Sequence, residues 1–278
     1  RVNKLVFVDM SDSSSFIIND ALEICDIYLK NQIYKNKENY LKPYYGRRIF
    51  SDYYHKFFKI NDDSLDNKNY VKKKKNLEKI KVSWNSCFSN YGYFGDVLIK
   101  IYNTVPLNFL LSFPPQKKIS VKKKNIDLNC RMSTNYSKNT VSFQRRKIKE
   151  MLEKKYDFSK ISKRKYYDEL IRTKIIISPF GYGEINLKDF EAFLNGCILV
   201  KPDMAHLDTW PNFYIKNKTY LSFKWDFSDL LEKLENILLN YEEFIDVAMN
   251  AREFYFNCLY DFGFKEEFCL RFKRLFCD

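Results

Sequence analysis

Residues 174–200 read KIIISPFGYGEINLKDFEAFLNGCILV. Two continuous apolar runs, Ile175–Ile177 and Cys197–Val200, flank Leu187–Leu194, whose apolar residues recur at helical spacing. A strand that is apolar on both faces belongs in a parallel sheet covered on both sides. The order strand, loop, helix, strand therefore reads as one βαβ unit. Its loop, Ser178 to Asn186, leaves the carboxyl end of a strand, the edge where open α/β sheets hold their ligands.

Outward from this unit the alternation continues. Ile126–Met132 is strand-like, Val141–Lys154 and Tyr166–Arg172 have helical spacing, and three amphipathic stretches (227–239, 241–256 and 264–276) close the chain. At the other end, Leu5–Asp9 reads as a buried strand, Ser11–Ser15 as a polar turn, Ile17–Ile24 as a helix and Ile27–Leu29 as a short strand or that helix's continuation. A second βαβ unit begins there. The apolar stretch Val97–Phe113 stops at Pro114-Pro115, which neither a helix nor a central strand continues across, and a basic connector follows. The expected fold is α/β, with two α/β units, 1–120 and 121–278, the second carrying a C-terminal helical tail. Residues 33–80 show no clear period.

Composition narrows the function classes. With 45% hydrophobic and 18% aromatic residues among 278, this is no disordered chain. No apolar run reaches the roughly 18 residues of a membrane span. Seven cysteines are scattered without a Cys-x-x-Cys pair, which argues against a disulfide framework or structural zinc and for a reducing compartment. The expected location is cytoplasmic, with membrane association compatible. The net charge of +13 raises nucleic acid as a partner. However, the basic runs 72–75 and 122–124 lie between apolar segments as solvated loops do, and no zinc-finger or RNA-binding signature appears. Nucleic acid is not expected; an anionic small molecule or surface fits the charge.

Glycine is scarce, with 7 in the chain, yet Gly181, Gly183 and Gly196 fall close together. Gly181 and Gly183 let a backbone turn and approach a ligand, and the following helix start offers unpaired N–H groups to a phosphate. Asn186 stands where a dinucleotide fingerprint needs its third glycine, and no Gly-Lys-Ser/Thr is present, so neither that motif nor a P-loop applies. Glu191 lies at the edge of the helix's apolar face, where a carboxylate needs a partner. That partner is either a ligand's ribose or a neighbouring protein donor. Arg131, at the end of the 126–132 strand, is placed either to fork onto a phosphate or to cap the strand. Lys201 and His206 follow the CILV strand, and His206 is one of only 2 histidines. Arg145 and Arg146 read as solvated helix residues, Asp62 and Asp63 as a solvated turn, and Trp210 and Trp225 as packing.

The stretch SPFGYGEINLKDFEAFLNGCILVKPDMAHLDTWPN, with YYDELIRTKIIISPFGYGE upstream, resembles the donor-binding half of GT-B-fold glycosyltransferases (group 1 or exostosin-like) from about Ile126 to Asp229. The resemblance implies two Rossmann-like domains with a cleft between them and a final helix that crosses back to brace the first. It implies a nucleotide-sugar donor as substrate, a glycan or glycolipid acceptor, and no metal or other cofactor. The donor-binding residues it implies are Arg131, Ser178, Gly181, Tyr182, Gly183, Glu184, Glu191, Lys201 and His206, with Glu191 holding the ribose. Retaining members keep a glutamate eight residues before that position. Here Gly183 stands there, with Glu184 one step late, so a retaining mechanism does not carry over. Inverting transfer needs a general base from the first half. Asp9 and Asp12, just past the first strand, are the candidates, and His55 with less reason, although an aspartate there is also an ordinary turn residue. The rival readings are a non-catalytic nucleotide- or glycan-binding module and a basic nucleic-acid-binding protein.

Overall fold

The computed structural model describes residues 4–63, 69–89 and 95–277, apart from the side chains of residues 96 and 277. Cys277 thus falls outside the described side chains; the other six cysteines are free thiols, and five of them are buried.

The chain is α/β with Rossmann-like topology. Strands β1 (Val6–Asp9), β2 (Ile27–Lys30) and β4 (Ile80–Val82) form a parallel sheet in the order β1-β2-β4, with helix α1 (Asn19–Ile24) crossing from β1 to β2. Between them lie β3 (Gln32–Tyr34) and α2 (Ile49–Phe58), and α3 (Gly95–Thr104) follows. The second sheet is parallel and four-stranded, in the order β5 (Ile126–Asn129), β6 (Thr173–Ile177), β7 (Ile198–Pro202), β9 (Leu221–Phe223). Helices α4 (Asn139–Leu152) and α5 (Lys163–Arg172) connect β5 to β6, and α6 (Leu187–Leu194) connects β6 to β7. Ile175, Ile176 and Ile177 and the whole of β7 are buried, as a sheet covered on both faces requires.

Two elements tie the halves together. β3 pairs antiparallel with β8 (Leu207–Thr209) of the second half. The tail is α7 (Leu230–Leu239), α8 (Tyr241–Tyr260) and α9 (Phe262–Cys277). In it α8 buries Tyr255 against Phe190 and Phe193 of α6, whereas α9 reaches back to the first half. There Phe268 and Phe272 pack on Trp84, and the Arg271 guanidinium donates to the Val82 carbonyl at 3.1 Å.

Two expectations change. Asp62 is buried rather than solvated, because its carboxylate accepts from the Thr140 amide (2.8 Å) and hydroxyl (3.0 Å). Arg145 is buried as well, with its guanidinium donating to the carbonyls of Phe180 (3.0 Å) and Ser133 (3.2 Å).

Candidate functional site

The glycine loop is shaped first by its own half. The Asn186 side chain donates to the Pro179 carbonyl at 2.8 Å, the Phe180 amide donates to Gln144 at 2.6 Å, and the Gly181 amide donates to the Gly183 carbonyl at 2.9 Å. Asn186 and Asp189 close a reciprocal capping box that starts α6. Gly183 then meets the other half: a Cβ there would lie 2.0 Å from the Asp12 carbonyl oxygen. Its need for glycine is therefore the close approach of Asp12, where the sequence suggests that of a ligand.

Glu184 completes this seam. Fully buried, it accepts from the Ser14 hydroxyl at 2.6 Å and the Ser14 amide at 3.1 Å, while His206 Nε2 stands 3.9 Å away. Burial pushes this carboxyl up, but His206 and Ser14 outweigh it, so Glu184 titrates below its ordinary value. The loop after β1 and the loop after β6 thus meet, carboxyl edge to carboxyl edge.

Two of the charged candidates are consumed by structure. Asp9 is buried, 2.7 Å from the ammonium of a buried Lys30, and also accepts from the Tyr28 hydroxyl at 2.7 Å. Burial raises its carboxyl and the attraction of Lys30 more than offsets this, holding it low. Lys201 is buried against Asp189 at 3.2 Å and donates to the Ser178 carbonyl at the same distance. Ser178 is itself buried, with its hydroxyl turned away from solvent.

Two open cavities lie at the carboxyl edges of the sheets, one beside the seam and one at the end of β5. One, of about 430 Å³, lies between the halves and is lined by Ser11, Asp12, Ser13, Arg47, Arg48 and Tyr182. Asp12 is exposed. Gly46 and Arg47 take consecutive left-handed conformations (φ 61° and 59°), a turn that delivers the arginine pair to this cavity. The Arg48 guanidinium donates to the Tyr182 carbonyl at 2.7 Å and lies 5.2 Å from the centre of the Tyr182 ring.

The second cavity, of about 520 Å³, opens at the carboxyl end of β5 between residues 131–135 and 158–161, with Tyr166 in its wall. Arg131 lines it but is clamped by Glu169, with Nε–Oε2 at 2.6 Å and Nη2–Oε1 at 2.8 Å. Behind the wall, Glu191 accepts from the hydroxyls of Tyr166 (2.6 Å) and Tyr167 (3.3 Å), the protein partners its position called for. Burial keeps Glu191 above its ordinary value, against those hydroxyls and Lys188. Lys188 donates to the Arg131 carbonyl and lies 5.7 Å from the Tyr166 ring centre; burial lowers it to about 8. Between the cavities stands Tyr182, whose hydroxyl is 2.7 Å from that of Ser137 and whose ring is 5.3 Å from Tyr136.

Of the residues singled out from sequence, Asp12, Tyr182 and Arg131 line cavities, and Glu191 stands behind one. Gly181, Gly183, Glu184, His206, Ser178 and Lys201 build the seam and its support. Sequence reading missed Arg47, Arg48, Tyr166 and Lys188. The adjacent Arg47-Arg48 after Gly46 was the one signal available, in a region without period. Among the described residues no cluster of three or more His, Cys, Asp or Glu is placed to hold a metal ion. The chain matches no family model, and no curated protein is significantly similar to it.

Proposed function

We propose that the protein is a GT-B-type glycosyltransferase that moves a sugar from a nucleotide-sugar donor to a hydroxyl of a glycan or glycolipid. One observation carries the reading. The loops at the carboxyl edges of two parallel sheets meet at Gly183–Glu184 and Asp12–Ser14, with one open cavity beside this seam and another at the carboxyl end of β5. Ligands of open α/β sheets bind at that edge.

In this reading the nucleotide occupies the cavity beside Tyr166. Ribose hydroxyls take the place of the two tyrosine hydroxyls on Glu191, and Lys188 adds positive charge behind. The sugar passes Tyr182 into the cavity between the halves. There the acceptor oxygen attacks the anomeric carbon, the bond to the diphosphate breaks, and its electron pair leaves with the nucleoside diphosphate. Asp12 takes the acceptor's proton. Arg47 and Arg48 face the departing charge. Asp9, neutralised by Lys30, is not the base.

A second reading has its own support. Where a phosphate would approach Gly183, the Asp12 carbonyl already stands, and Glu184 is already bound by Ser14. A nucleotide-binding module without transferase activity would look the same there. A thermal-shift screen of UDP, GDP, CMP and ADP sugars separates these from unrelated functions, because both predict a stabilising nucleotide. Glu191→Gln should weaken that ligand at least about tenfold without unfolding the chain. Normal binding by this variant counts against the assigned site.

A further inference from the structure

We propose that residues 95–123 form a docking surface for an anionic lipid bilayer. This proposal does not depend on the transferase reading. Helix α3 and the turn after it expose Val97 (48%), Ile101 (44%), Leu107 (48%), Phe109 (72%) and Leu111 (46%) to solvent. Val97 and Ile101 share one side of α3 and Ile99 lies opposite, with Lys100, Asn103 and Thr104 forming an exposed polar stripe between them. A solvated helix keeps its outer face polar, so exposed apolar residues beside a basic stripe mark an interfacial helix.

Charge identifies that environment. From residue 95 to residue 126 the chain carries 6 lysines and one acidic residue, Asp96. Lys124 turns inward, donating to the Thr173 and Asn195 carbonyls at 2.7 and 2.9 Å, while Lys100, Lys117, Lys118, Lys122 and Lys123 are exposed. Exposed apolar side chains in a lysine-rich segment with a single acidic residue, on a chain of net charge +13, are the combination that seats in a headgroup layer. A second copy of this chain, net charge +13, would set like charges against each other at the same face.

The segment also ends on an apolar hollow. Phe113 helps line a cavity of about 480 Å³ with Trp84, Phe88, Phe264 and Phe268, and the Tyr260 hydroxyl fixes the adjoining Pro114 carbonyl at 2.8 Å. An acyl chain displaced from the bilayer surface has somewhere to go.

The test is flotation of the full chain with vesicles of phosphatidylcholine alone or with about 30% phosphatidylserine, at low salt and at about 0.5 M NaCl. Binding is expected to the anionic vesicles and to fall with salt. I101D combined with F109D should lose binding with an unchanged circular dichroism spectrum. Replacing Lys117, Lys118, Lys122 and Lys123 by Gln should weaken it at least about tenfold. If the first variant fails to fold, the second still decides, since its side chains are all exposed. The proposal is overturned if the wild type does not float with anionic vesicles, or if either folded variant floats like wild type. Self-association that F109D abolishes, without vesicle binding, overturns it in favour of a second copy.

Discussion

Lys30 at the end of β2 and Lys201 in β7 are both wholly buried, and each faces an aspartate that also accepts from a tyrosine. In the first sheet the partner is Asp9, at the end of the neighbouring strand, so the pair binds β1 to β2 and draws in the Ser11 hydroxyl at 2.7 Å. In the second sheet the partner is Asp189 on α6, so the pair binds strand to helix and shares its aspartate with the helix cap. One pair anchors the loop that supplies Asp12; the other anchors the helix that carries Lys188 and Glu191. A charge at the carboxyl end of a strand can thus be spent entirely on fixing the loop beyond it. Ligand chemistry is left to the residues that loop presents.

The largest expected effects come from breaking these pairs. Lys30→Met strands a buried carboxylate and should cost about 3–5 kcal/mol in urea unfolding. Lys201→Met should cost less, because its contact is longer (3.2 against 2.7 Å), while each stranded aspartate keeps one tyrosine hydroxyl and one backbone amide. The reverse order would break the comparison.

Gly183→Ala comes next, since its Cβ meets backbone of the opposite half at 2.0 Å. Overpacking of this kind costs about 1–3 kcal/mol. Gly181→Ala should be milder, because it meets the Asn186 side chain at 3.1 Å. Equal losses would mean that the seam yields as easily as a side chain.

Acid tests the seam in another way. Glu184 and Asp9 are both held below their ordinary values, so their stabilisation is complete above about pH 4.5 and is lost as pH falls through the folded-state values. Glu184→Gln should cost about 1–2 kcal/mol at neutral pH and flatten the fall in melting temperature on acidification. A variant with the wild-type acid profile would remove Glu184 from the seam. The smallest effect is at Lys188, lowered to about 8. Nucleoside diphosphate affinity should drop severalfold as pH rises through that value, and Lys188→Arg should flatten the dependence.

Much of the fold was legible, because continuous apolar runs such as Ile175–Ile177 and Cys197–Val200 report a doubly covered strand directly. The three-residue strands β3, β4, β8 and β9 were not, since three residues cannot display a period. The β3–β8 ladder that joins the halves is a long-range pairing with no local signature. At the site, the edge was readable but the division of labour was not. Asp9 and Asp12 leave the same strand three residues apart with equal promise in sequence. Lys30, 21 residues from Asp9, decides between them. Likewise, Glu191 announced its need for a partner, and its distance to Tyr166 in space supplied what spacing could not.

The proposed role of Asp12 as base in the cleft can be read from the rate of nucleoside diphosphate release from a stabilising nucleotide sugar, compared between wild type and Asp12→Asn. Release is expected from the wild type, with at least about a 100-fold loss in the variant and donor binding and melting temperature unchanged. Undiminished release by Asp12→Asn, or a wild type that binds no nucleotide sugar, would contradict it.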